Sequence, residues 1–63
     1  MNYDTIRQLC SEALATIALT LEALESYERL PVPSNQMGLE VQISGTEIRL
    51  QNLANELRKQ LLG

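Results

Sequence analysis

The chain has 63 residues, a net charge of −3, one cysteine and no histidine. A chain of this length holds one small domain whose core is marginal by itself, and a lone cysteine without histidine excludes an intrachain disulfide and the usual zinc ligand sets. The 44% hydrophobic content argues against disorder, and the placement of charge, five acids against two arginines in residues 1–30 and balance in residues 31–63, leaves no basic stripe for phosphates.

A first helix is predicted over about residues 3–29. Asn2 suits the N-cap and Asp4 the positive end of the dipole. The interior lacks Gly and Pro, and Pro31 and Pro33 stop the helix. Ile6, Cys10, Ala13, Leu14, Ile17, Leu21 and Leu24 follow helical spacing together with Leu9 and Ala18. Ala15, Leu19 and Ala23 add apolar groups on other faces, and a helix that is apolar nearly all round must be buried in something. The uncharged run Ala13 to Leu21 is too short for a membrane span of about 20 residues. Asp4 and Glu12 interrupt the place of a signal peptide, which makes a cytoplasmic location the expectation.

A connection is predicted over about residues 30–45. It opens with turn residues, and Leu39-Glu40-Val41-Gln42-Ile43-Ser44 then alternates apolar and polar as a strand does. One strand without a partner is not stable, so the segment is expected to lie extended along the helices with Leu39, Val41 and Ile43 inward. Pairing across a two-fold axis, or ordering on a partner, are the alternatives. A second helix follows at about residues 46–62, with Ser44 and Glu47 as a capping box and Thr46 as a competing cap. Leu50, Leu53, Ala54, Leu57 and Leu61 form its apolar stripe.

These elements predict an all-α fold, a two-helix antiparallel hairpin with a long first helix. The shorter helix covers one face of the longer one, and the surplus apolar surface predicts a homodimer closed as a four-helix bundle. The expected core and dimer interface is Ile6, Cys10, Ala13, Leu14, Ile17, Leu21, Leu24, Leu50, Leu53, Leu57 and Leu61. A surface for a further partner is expected at Leu19, Glu22 and Tyr27.

No chemistry is legible beside this. Without histidine the commonest general base is absent, and Cys10 on the apolar stripe reads as a small core hydrophobe. Glu22, Glu25 and Glu28 read as a solvated helix face rather than a metal site. The glycines at 38, 45 and 63 are isolated, which excludes a phosphate-binding loop, and the connection is too long for a helix-turn-helix. The expectation is a non-enzymatic protein with no catalytic residues, cofactor or metal, acting by protein–protein contact. Two alternatives stand beside it: a nucleic-acid-binding regulator using Arg49, Gln51, Asn52, Asn55 and Arg58, and a small subunit that folds with a larger partner.

The opening Met1-Asn2-Tyr3-Asp4-Thr5-Ile6-Arg7 and the run Glu22-Ala23-Leu24-Glu25-Ser26-Tyr27-Glu28 resemble a small accessory protein of the exo–xis region of lambdoid bacteriophages, including Shiga-toxin-converting ones. The resemblance carries no site residues. It implies an early-expressed accessory protein that acts on the host, or on the choice between lysis and lysogeny, through a host or phage protein.

Overall fold

The computed structural model describes residues 2–29 and 34–62. It contains two helices, α1 (Tyr3–Glu28) and α2 (Ser34–Leu62), packed against each other as a hairpin. At α1 the expectation holds: the Asn2 Oδ1 accepts from the Asp4 and Thr5 backbone N–H at 3.1 and 3.2 Å. Two of the donors that a helix start leaves over are thereby satisfied. The helix closes at Arg29, whose N–H donates to the Ser26 carbonyl. Pro31 and Pro33, read as the stop signal, lie outside the described residues.

The second helix corrects the sequence reading. It spans Ser34–Leu62, 29 residues, rather than about 46–62. The segment Leu39 to Ser44 is therefore helical, neither an extended arm nor a strand, and Ser44 and Glu47 are mid-helix residues, not a cap. The physical reason is backbone satisfaction. An isolated strand would leave its N–H and C=O groups unpaired, whereas a continuous helix pairs them internally and lies along α1. The picture of a long helix partly covered by a short one falls with it, because α1 has 26 residues and α2 has 29.

The seam between the helices follows a heptad on α1. Ile6, Leu9, Ala13, Thr16, Thr20, Ala23 and Tyr27, alternately three and four apart, are its half-buried positions, the spacing of left-handed helix pairs. On α2 the half-buried or buried residues are Leu39, Gln42, Thr46, Leu50, Leu53, Leu57 and Gln60, with Gly38 at the turn end. Leucines dominate toward the termini, and small or polar residues dominate toward the turn. Leu53, 5% exposed, is the one buried residue among those described.

A threonine cluster occupies the middle of the seam. Thr20 and Thr46 meet across it with their Oγ1 atoms 2.7 Å apart, and Thr16, Thr20 and Thr46 each stand within 2.8–2.9 Å of the carbonyl four residues earlier. A hydroxyl has one hydrogen. Thr20 and Thr46 therefore share two hydrogens among three contacts, and one of the two back-bonds gives way to the bond across the seam. One ion pair joins the helices among the described residues, Arg49 to Glu12 at 3.9 Å with both side chains about half exposed. Such a pair contributes about 0–1 kcal/mol. Glu25 and Arg29, well spaced for an i,i+4 pair, are not joined.

The hairpin is one layer thick. Its Cα extents are 48 × 15 × 7 Å and its radius of gyration is 14.8 Å, against about 10.6 Å for a compact domain of this length.

Candidate interaction surface

Two helices have one seam, and the apolar groups of α1 outnumber the seam positions. The sequence-predicted interface accordingly divides. Ile6, Ala13, Leu50, Leu53 and Leu57 are half-buried or buried between the helices. Cys10, Leu14, Ile17, Leu21, Leu24 and Leu61 are exposed, so in the hairpin Cys10 is not the core hydrophobe that the sequence suggested.

These exposed groups share one side of α1. Tyr3, Cys10, Ile17 and Leu24 repeat every seven residues in one column, and Leu14 and Leu21 stand in the adjacent one, between Arg7 and Glu28. Ile17 and Leu21 are 51% and 54% exposed, and Leu14 68%. A groove of about 230 Å³ runs beside them, lined by Ile17, Leu21 and Leu24 and floored by Thr20 and Thr46. On the other flank of the seam, Leu19 lines a second groove of about 250 Å³ with Thr16, Gln42, Gly45 and Arg49. Since Gln42, Gly45 and Arg49 border that second groove, helical spacing puts Ile43, Glu47, Leu50, Ala54 and Leu61 of α2 on the side of the first. One flank of the hairpin is therefore apolar along most of α1, and α2 adds apolar groups to it on either side of Glu47.

Its extent can be set against the size of the chain. A folded monomer of 7.1 kDa exposes about 4,100 Å² by the usual scaling, and this chain exposes 5,109 Å². The excess of about 1,000 Å² is somewhat more than the ~800 Å² each partner buries in a standard interface.

Of the residues predicted to face a further partner, Leu19 and Glu22 are exposed, on and next to the opposite flank, while Tyr27 belongs to the seam. A methyl group added at Gly38 would stand 2.7 Å from the Tyr27 ring, so the ring packs on that glycine. Sequence reasoning missed the polar seam members Thr16, Thr20, Gln42 and Thr46, because a search for apolar periodicity passes over them. The heptad running from Ile6 to Tyr27 was the available signal.

Among the described residues there is no group of three His, Cys, Asp or Glu side chains that could hold a metal ion, and no helix is long and apolar enough to cross a membrane. Comparison with protein-family models, with curated proteins and with solved structures returns no match.

Proposed function

We propose that the chain is a non-enzymatic interaction module: a helical hairpin that uses its apolar flank to form a homodimer, closed as a four-helix bundle. The exposed flank of Cys10, Leu14, Ile17, Leu21 and Leu24 carries this reading, because monomeric proteins rarely leave so continuous an apolar strip in water. A second hairpin laid on the flank turns a one-layer structure into two packed layers, the minimum arrangement that encloses a core. Contacts with a host or phage protein, the role that the resemblance of the opening residues implies, would then use surface left free by the dimer, with Leu19 and Glu22 available for it. The absence of histidine from the sequence and the setting of Cys10 on an apolar helical strip support a binding role over a catalytic one.

Sedimentation equilibrium at micromolar concentration tests the proposal. The expected mass is that of two chains, and Ile17→Glu should give a single chain, since closing the dimer over an unpaired charge is costly. A wild-type chain that stays monomeric across the range, or an Ile17→Glu chain that stays dimeric, would overturn it.

A further inference from the structure

We infer that the two hairpins of the dimer run in opposite directions, the turn end of one against the chain termini of the other, with the two-fold axis beside Ile17. This rests on the homodimer reading and adds its direction and register. Three features of the flank agree on the arrangement.

The first is the distribution of charge. Glu22, Glu25, Glu28 and Glu40 stand at the turn end against Arg29 alone, so that end holds the whole net charge of −3, while acids and bases cancel over the rest of the hairpin. Hairpins running in the same direction would bring two such ends together, and opposed hairpins keep them apart. The second is the column Arg7, Leu14, Leu21, Glu28. Reversed on a copy of itself, it sets Arg7 against Glu28 of the partner copy at both ends, and Leu14 against Leu21 between them. Arg7, which stands 3.5 Å from the Asp4 carboxylate within its own helix, and Glu28 are both exposed, so each has room to meet a new partner. The third is the adjacent column. The same reversal sets Ile17 against its own copy and Cys10 against Leu24 of the partner copy. The two columns place the axis within half a residue of each other, at Ile17 and midway between Ile17 and Ala18, and the apolar strips overlap from Cys10 to Leu24, with Tyr3 beyond the overlap.

The register decides where the cysteines stand. Cys10 is seven residues from the axis, about 10 Å along the helix, so the two Cys10 side chains are about 20 Å apart. A disulfide needs Cα atoms within about 7 Å. Hairpins running in the same direction would instead place each Cys10 beside its copy.

Oxidative cross-linking of the full chain with copper phenanthroline, read by non-reducing electrophoresis and intact mass, tests the direction. Leu24→Cys with Cys10 retained should cross-link most of the chain as covalent dimers. Wild type, and Leu24→Cys combined with Cys10→Ser, should stay uncoupled. Ile17→Cys combined with Cys10→Ser gives a second check, since a pair at the axis should couple as well. Efficient coupling of wild type through Cys10, or a dimer in which neither Leu24→Cys with Cys10 retained nor Ile17→Cys couples, would overturn the direction and leave the homodimer standing. A wild-type chain that sediments as a monomer would remove the homodimer itself, so the two failures are distinguishable.

Discussion

Gly38 and Gly45 lie seven residues apart on α2, yet their surroundings differ. A Cβ built at Gly45 meets nothing within 4 Å, whereas one at Gly38 meets the Tyr27 ring. A glycine inside a helix costs about 1 kcal/mol relative to alanine. Gly45→Ala should therefore raise unfolding stability by roughly that amount in urea titrations, and Gly38→Ala should not repeat the gain, because the ring must shift. Equal stabilisation at both positions would show that Tyr27 moves without cost. Gly38 thus lets the aromatic ring approach the α2 backbone, while Gly45 leaves the second groove open beside Leu19. The Thr20–Thr46 pair is another residue-scale choice. It satisfies two hydroxyls across the seam where two larger apolar groups would have buried more surface.

At the scale of elements, the first half of α2 is the place where sequence and structure part. Leu39, Val41 and Ile43 alternate with polar residues over six positions, and a window that short cannot tell period two from period 3.6. Continued past Thr46, the apolar positions 39, 43, 50, 53 and 57 fit a helix. Val41, inward in the extended reading, is 75% exposed in the helix. Val41→Pro separates the two structures. In a helix interior it removes a backbone hydrogen bond and should cost about 3 kcal/mol, with a loss of helical circular dichroism. In an exposed extended arm it would be nearly neutral. By contrast the start of α1 was legible, because Asn2 followed by Asp4 and an apolar period is a local signal that needs no tertiary partner.

For the whole molecule, the proposed dimer would link association to folding. With one buried residue among those described, the isolated hairpin has little apolar burial to offset the entropy of ordering its helices. The exposed apolar flank of α1 would be covered in the proposed dimer. The wild-type Tm should therefore rise with protein concentration, each tenfold step adding about 1.4 kcal/mol per mole of dimer, and the Tm of Ile17→Glu should be lower and independent of concentration. A wild-type Tm that stays constant over two decades of concentration would show that the hairpin is stable alone.

The sequence by itself determined that the fold is all-α with two helices, where the first of them begins, and that α1 carries more apolar surface than one partner helix can cover. These follow from local capping, composition and periodicity, which act over a few turns. It did not reveal which of two heptad columns forms the intramolecular seam. The column Tyr3, Cys10, Ile17, Leu24 is the more apolar to the eye, yet the seam runs through Ile6, Ala13, Thr20 and Tyr27. Only the tertiary structure decided this, because a seam is chosen by what faces it. Gly38 admits the Tyr27 ring and Thr46 meets the Thr20 hydroxyl, both contacts between residues on different helices. The strip left outside is the consequence, and it is the surface on which the proposed dimer rests.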